Sequence, residues 1–275
     1  MRYYWYRDTT GNFGDDLNDW LWPRLFGNAL DQVPDSVVFV GMGSILGTGI
    51  PRGERTVVFG PGIGYGPPPV PDASWRFVAV RGPISAQALG LDSSVVQGDP
   101  AVLVGRYVQQ RPHATRVSLM LHHLSNLPRW RMVARMLGWQ FIDPTQPVEA
   151  TLEQLANTRL LITSAMHGAI VADAMRIPWI AIRNSAGINT EKWADWGGAL
   201  GITPRFHDLI DIPVEGSAAP SRWSRALSWP RAIVRLRHLA TARVSQLSDL
   251  DALARVQDRL LAAANRFRDH PEQFT

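Results

Sequence analysis

The chain has 275 residues, of which 45% are hydrophobic and 19% charged, and it contains no cysteine. That length is sufficient for two average domains with sizeable cores. The absence of cysteine excludes disulfides and thiolate metal sites and fits a reducing cytosol. No signal-peptide pattern follows Met1, and no run approaches the roughly 18 uninterrupted apolar residues of a membrane span, so we expect a cytoplasmic protein.

The formal net charge is +4, and its basic part is local. Between Glu215 and Asp249 there are six arginines and no acidic residue. Without these six positive charges, the net charge of the rest of the chain is −2. A local basic stripe favours an interaction surface over a nucleic-acid-binding protein.

Residues 1–110 predict a first α/β domain. Short apolar strands, most followed by a turn or helix, are predicted at 2–7, 36–40, 56–59, 77–80 and 94–96. The segment GPGIGYGPPP at 60–69 is too rich in Gly and Pro to be regular and suggests a flap.

Polar and glycine residues follow two of these strands. Asn12 and Asp15 lie in GNFGDDLN, where Asp15 or Asp16 is also a candidate helix cap. Gly43 and Ser44 lie in GMGSILGTG, where small residues let backbone amides approach a ligand. A plain loop before a helix is the equally open interpretation of the first segment.

Arg81 is predicted at the carboxyl end of the strand at 77–80, beside a helix that Pro83 opens. A guanidinium group there suits a phosphate or carboxylate. A salt bridge that only holds the loop explains the same residue equally well.

Residues 105–116 lack an apolar period and are the best linker candidate, and the strand–helix alternation restarts after them. We therefore predict a second domain over 111–215. Two successive series of this kind indicate two Rossmann-like, doubly wound domains with a cleft between them.

Residues 160–182 predict a strand, a helix and a strand. His167 falls where the first strand meets the helix, with Ser164 in the N-cap position. His122 and His123 are predicted to end a strand at the same edge, and since alternate residues point to opposite faces, only one of them should enter the cleft. No carboxylate has a ligand-like spacing to these histidines, so we predict no metal site.

Lys192 is the only lysine in the chain and is flanked by Trp193 and Trp196. A lysine between two indoles suits a carbohydrate site, because sugar faces stack on aromatic rings. The two tryptophans fit the core of a short amphipathic helix at least as well.

Residues 216–275 predict a basic helical segment. Pro230 is expected to divide it into two pieces, and an apolar face recurs on the second piece. Such a segment, over 222–243, either lies on an anionic bilayer or packs back on the domains.

Six short motifs in a fixed order resemble the polysaccharide pyruvyltransferases. They are GNFGDDLN, GMGSIL, Arg81–Ser85, GDPA, the Ser164–His167 segment and EKWADW, spread over residues 11–202. The resemblance is strongest to the bacterial exopolysaccharide ketal-pyruvate transferases of the xanthan and succinoglycan type. It implies a fold similar to the GT-B glycosyltransferases.

The resemblance also implies the reaction and its partners. The enzyme would transfer the enolpyruvyl group of phosphoenolpyruvate to two hydroxyls of a terminal sugar in an exopolysaccharide repeat unit, forming a pyruvate ketal. Phosphoenolpyruvate would be a co-substrate, and no cofactor is implied. The acceptor would be lipid-linked, at the inner face of the plasma membrane.

On this resemblance His167 is the leading acid or base, assisted by Asp15 and His122. The residues implied to bind substrate are Asn12, Gly43, Ser44, Arg81, Ser164, Arg183, Lys192 and Trp193. Related enzymes commonly have an arginine where this chain has Ala165, so Arg183 or Lys192 would have to supply that charge. Otherwise the donor would bind less tightly, or the protein would be inactive. Two alternatives stay open, namely a sugar-nucleotide glycosyltransferase of the GT-B type and a non-catalytic scaffold for envelope assembly.

Overall fold

The computed structural model describes residues 1–47, 49–209 and 222–274. The strands of this part are β1 (Arg2–Tyr4), β2 (Val37–Val40), β3 (Arg55–Phe59), β4 (Trp75–Ala79), β5 (Arg116–Met120), β6 (Gln140–Phe141), β7 (Thr158–Thr163), β8 (Trp179–Arg183) and β9 (Phe206–Asp208). The α-helices are α1 (Phe13–Phe26), α2 (Pro83–Ala88), α3 (Leu127–Leu137), α4 (Val148–Ala156), α5 (Met166–Ala174), α6 (Thr190–Leu200), α7 (Arg222–Thr241) and α8 (Leu250–Asp269).

The chain divides into two units, and neither is continuous in sequence. Unit 1 comprises Met1–Tyr107, Thr190–Thr203 and Ser248–Thr275, and unit 2 comprises Val108–Asn189 and Pro204–Leu247. The first crossing lies inside the predicted linker. The division differs from the predicted one, in which each domain is continuous, because α6 and α8 belong to unit 1. The boundary predicted at 215 falls outside the described residues.

Unit 1 contains a parallel sheet in the order β1-β2-β3-β4. All four residues of β2 are buried, as expected for a strand covered on both faces. The strand order follows the chain without a reversal, so it differs from the doubly wound order predicted for this half. The strand predicted at 94–96 is reduced to a single parallel bridge between Val96 and Val80. Asp92 accepts a hydrogen bond from the Ser94 N–H, which starts a 3₁₀ turn over Ser93–Val95.

Helix α8 packs on unit 1 along its whole length. The Phe267 ring is fully buried, with its centroid 5.2 Å from that of Phe26 and 5.9 Å from that of Phe39. Gln257 Nε2 donates to the Val102 carbonyl at 2.8 Å. The last helix therefore belongs to the core of unit 1.

Unit 2 contains a parallel sheet in the order β6-β5-β7-β8-β9. Here the order does reverse, because β6 lies on one side of β5 and β7 on the other. In open parallel sheets such a switch point is where ligands bind, outside the carboxyl ends of the strands. In this unit the switch point lies between the ends of β5 and β7.

Helix α7 belongs to unit 2 and runs through Pro230, so the predicted division there is wrong. Proline removes one backbone donor, and the loss is tolerated because the following turns bury Ala232, Leu236 and Leu239 in the unit 2 core. Most of the apolar face is thus used in packing, while Arg231 and Arg235 remain exposed. No helix in the described ranges has both the length and the apolar character required to cross a bilayer.

Candidate functional site

The first candidate surface is the carboxyl edge of the unit 1 sheet, where Asn12, Asp15 and Gly43 lie together. Asn12 is the N-cap of α1, so the prediction that Asp15 or Asp16 caps this helix is wrong. Asn12 Nδ2 instead donates to the Asp15 carboxylate, which is 8% exposed. Gly43 has a φ of 132°, and a Cβ there would lie 3.0 Å from Asp15 Oδ1. Glycine therefore allows the loop after β2 to approach this carboxylate.

Arg81 follows β4 at the same edge and is completely buried. Its Nε donates to Asp195 Oδ2 at 2.9 Å, its Nη1 to Ser44 Oγ at 2.8 Å and its Nη2 to the Ile63 carbonyl at 2.6 Å. Asp195 also accepts from the backbone N–H and the hydroxyl of Ser85, at 3.0 and 2.6 Å. The guanidinium therefore joins two loops to α6.

These contacts match the salt-bridge interpretation that the sequence left open for Arg81. These bonds use three of the five N–H groups of the guanidinium. Because the side chain is completely buried, direct binding of phosphate or carboxylate by Arg81 would require the surrounding loops to move. A Cβ at Gly62 would lie 2.2 Å from Arg81 Cζ, and one at Gly82 would lie 1.8 Å from the Asp195 carbonyl oxygen. The two glycines allow the backbone to close around the ion pair.

Lys192 lies one helical turn before Asp195 on α6 and contacts Tyr65. Its Nζ is 2.9 Å from the Tyr65 hydroxyl and 4.4 Å from the centroid of the ring. Trp193 and Trp196 are 1% and 0% exposed. They form core, as the amphipathic-helix interpretation requires, and the exposed aromatic ring beside the lysine is Tyr65.

The second candidate surface is the switch point of unit 2. β5 ends at Met120, so His122 and His123 lie in the turn beyond the strand. Their ring centroids are only 4.5 Å apart, and strand alternation does not separate them as predicted. The His122 backbone N–H donates to Ser164 Oγ at 3.0 Å, and the Ser164 N–H donates to the Met120 carbonyl at 3.2 Å. These bonds join the turn after β5 to the end of β7.

His167 lies in the first turn of α5, at the same edge. The N-cap is Ala165 and not Ser164 as predicted, because the Ser164 hydroxyl is used by His122. Thr163 Oγ1 accepts from the Ala165 N–H at 2.9 Å and fixes the entry to the helix. A Cβ at Gly168 would lie 2.8 Å from Met120 Sδ, so glycine lets α5 begin close against β5. His167 is half-buried beside the N–H groups of this first turn.

Arg183 ends β8 and forms a bidentate ion pair with Asp208 on β9 through Nε and Nη2. This hydrogen bonding raises the pKa of Arg183 and lowers the pKa of Asp208 below its usual range. The remaining nitrogen, Nη1, is not used in that pair. Arg183 is therefore a cation held at a fixed place on the carboxyl edge.

Asn184, at this edge, was missed by sequence reasoning. Asn184 follows β8, is 7% exposed, and donates from Nδ2 to Ser125 Oγ at 3.0 Å. Its Oδ1 is buried and has no hydrogen-bond partner in the described part of the chain. The sequence signal that could have identified Asn184 is its position directly after β8, the strand beside β7. A buried acceptor of this kind suits a ligand that donates a hydrogen bond.

Each unit thus gathers its predicted residues at one edge of its sheet. Unit 1 brings together Asn12, Asp15, Gly43, Ser44 and, beside them, Arg81 with α6. Unit 2 brings together His122, Ser164 and His167, with Arg183 one strand further along. Among the residues described, no group of three or more His, Cys, Asp or Glu side chains is arranged to hold a metal ion.

Two parallel α/β units, one with paired polar loops at a strand-order reversal, define a ligand-binding α/β protein. The chain belongs to the polysaccharide pyruvyl transferase family, whose model matches residues 2–186. This confirms the resemblance drawn from the motifs. Lys192 and α6 lie beyond the matched residues.

One curated relative is the succinoglycan biosynthesis protein ExoV of Rhizobium meliloti (strain 1021). The two sequences are 35% identical over 213 residues, which cover 74% of this chain and 66% of that protein. The chain therefore spans slightly less than two thirds of the length of this relative.

Proposed function

We propose that the protein transfers the enolpyruvyl group of phosphoenolpyruvate to two hydroxyls of one sugar in an exopolysaccharide, forming a pyruvate ketal. The observation that carries this proposal is the family match over residues 2–186, within which His122, Ser164 and His167 share the switch point of unit 2. A GT-B type of fold, as the motifs imply, is part of the same proposal.

The reaction defines what the site must supply. An acid donates a proton to the methylene carbon of phosphoenolpyruvate, which becomes a methyl group, and the first sugar hydroxyl adds to the neighbouring carbon while a base takes its proton. The bond from that carbon to the phosphate oxygen then breaks and inorganic phosphate leaves. The second hydroxyl closes the ring and loses its proton, so the net products are one ketal and one phosphate.

His167 suits the acid and base steps because an imidazole ring can both donate and accept a proton. Its place in the first turn of α5 puts it beside N–H groups that favour an anion. We assign His122 as the second histidine of the site, since its backbone is held by Ser164. Asp15 is proposed as the group that accepts a proton from a sugar hydroxyl.

The donor carries a phosphate and a carboxylate, so the site requires a fixed cation. Ala165 offers none, whereas Arg183 is oriented by Asp208 and keeps Nη1 outside that pair. We therefore assign Arg183 as the arginine that meets the donor. Arg81 is completely buried and bonded to two loops and α6 of unit 1, and it is assigned a positioning role.

A lipid-linked acceptor at the cytoplasmic face of the membrane is part of the proposal. Support comes from the arginines of α7, of which Arg231, Arg235 and Arg237 are exposed. Since the buried face of this helix packs into unit 2, contact with an anionic bilayer would rest on charge and not on insertion. Raised salt should therefore release the protein from anionic vesicles.

The test incubates the purified protein with phosphoenolpyruvate and a terminal mannoside or glucoside, and measures released phosphate and acid-labile ketal. We expect one ketal for each phosphate. His167→Gln should lower the rate about a hundredfold or more, whereas His270→Ala, at a histidine 57% exposed near the end of α8, should leave it unchanged. No phosphate and no ketal across the acceptors would contradict the proposal.

A further inference from the structure

The Tyr65 side chain is an exposed aromatic ring that the proposed chemistry does not use. It is 59% exposed and lies in the Gly- and Pro-rich loop after β3. It is more exposed than Tyr3, Tyr6 and Tyr107, the other exposed tyrosines among the described residues.

The ring is held in place from one side by Lys192. The ammonium lies 2.9 Å from the hydroxyl and 4.4 Å from the ring centroid, so it contacts the hydroxyl end of the ring at cation–π distance. A Cβ at Gly64 would lie 2.8 Å from Lys192 Cδ and 2.5 Å from Ser44 Cβ. Glycine at this position lets the loop, the lysine stem and the loop after β2 meet.

The buried ion pair of unit 1 anchors both partners of this contact. Arg81 Nη2 donates to the Ile63 carbonyl, two residues before Tyr65, and the Ile63 N–H donates to Ser85 Oγ at 3.0 Å. Asp195, which pairs with Arg81, lies on the same helix as Lys192 and three positions after it. The loop tip and α6 are thus fixed against each other, and Tyr65 is a pre-oriented ring.

Polar groups able to bind hydroxyls line the same edge. Ser44 lies beside Gly64, and Asp15 with Asn12 lies beside Gly43, which precedes Ser44. A sugar ring presents apolar C–H groups on a face and hydroxyls around its rim. An exposed aromatic ring in a loop that packs against Ser44, on the sheet edge that also holds a carboxylate and an amide, has complementary chemistry.

We propose that Tyr65, oriented by Lys192, is the stacking platform of a pyranose-binding subsite on unit 1, with Ser44 and Asp15 binding the sugar hydroxyls. The assignment of this sugar as the acceptor rests on the proposed function. The subsite itself is a binding property and can be measured without the transfer reaction.

Lys192 makes the test direct because it is the only lysine in the chain. Acetylation of the intact protein by an amine-specific reagent therefore modifies one side chain, and the terminal amine serves as internal reference. Mass spectrometry follows the rate at increasing methyl glucoside or methyl mannoside. We expect saturable protection of Lys192 and none of the reference amine.

Three variants separate stacking from general effects. Tyr65→Ala should raise the Kd of the protecting sugar about tenfold, which corresponds to about 1.4 kcal/mol. Tyr65→Phe keeps the ring but loses the hydrogen bond to Lys192, so its Kd should lie between those of the wild type and Tyr65→Ala. Tyr6→Ala, at another exposed tyrosine of unit 1, is the matched control and should leave the Kd of the sugar unchanged. Thermal unfolding of all three variants should match the wild type.

The outcomes distinguish this subsite from the proposed reaction. Protection that Tyr65→Ala weakens, without any phosphate release from phosphoenolpyruvate, would retain the subsite and reject pyruvyl transfer. The subsite would be overturned if the protein transfers pyruvate, the acceptor KM is the same in Tyr65→Ala and the wild type, and the sugar does not protect Lys192. Lack of protection by every sugar tested would also overturn it.

Discussion

Replacement of Asp195 by asparagine tests how much the buried ion pair contributes to unit 1. The carboxylate is 1% exposed and accepts three hydrogen bonds, one from Arg81 and two from Ser85. Asparagine keeps the volume but leaves the guanidinium buried without a counter-charge. Breaking a buried pair in this way costs about 3–5 kcal/mol. We therefore expect Asp195→Asn to lower the free energy of unfolding by about that amount.

Urea unfolding followed by tryptophan fluorescence provides the measurement, with linear extrapolation to water. The control is Asp19→Asn in the Arg7–Asp19 pair, whose side chains are 66% and 54% exposed; it should cost less than about 1 kcal/mol. The double variant Arg81→Met, Asp195→Leu leaves no unpaired buried charge and should recover part of the loss. Recovery is partial because the Ile63 carbonyl and the Ser85 N–H lose their partners. Equal effects of Asp195→Asn and Asp19→Asn would refute the reasoning.

Three further predictions address catalysis, pH and packing. Arg183→Met should lower phosphate release about tenfold or more, through the loss of a charge-assisted contact to the donor; an unchanged rate would remove Arg183 from the site. Burial first, and then Arg235 and Arg205, lower the pKa of His207. As the pH falls, the unfolded chain therefore binds the proton before the folded protein does, and the free energy of unfolding should decrease below about pH 6.5. Urea unfolding at several pH values should show a smaller decrease for His207→Gln than for the wild type. The same dependence of the free energy on pH in both proteins would contradict this assignment. Phe267→Ala should cost about 3–5 kcal/mol of unfolding free energy, and a loss as small as that of His270→Ala would contradict the packing of α8.

The alternating elements were predictable because their signals are local. Buried parallel strands are short apolar runs, and β2, β7 and β8 lie within one or two residues of the predicted runs. Polar residues that follow such strands must gather at the carboxyl edge, which is why His122 and His167 were found from the sequence. The N-cap of α5 was not, since the Ser164 hydroxyl is bound by a residue 42 positions away.

The partner of a helix is a tertiary property that its own pattern does not encode. The tryptophans of α6 predicted that one face of this helix is buried. They do not indicate that this face packs in unit 1. Arg81 and Asp195 are 114 positions apart, so the salt bridge was open as a possibility and its second member could not be named. Tyr65 was overlooked because a Gly- and Pro-rich loop has no hydrophobic periodicity from which the exposure of a side chain could be predicted.

The discontinuity of the two units has a consequence for inheritance. The chain crosses between the units after residues 107, 189, 203 and 247. A single recombination event near residue 110 would therefore combine the Met1–Tyr107 segment of unit 1 from one parent with α6 and α8 from the other. Such a hybrid inherits Arg81 from one ancestor and its carboxylate from another. Exchange of a whole unit between relatives requires four matched junctions, and positions 81, 85 and 195 should therefore change together or not at all as the family diverges.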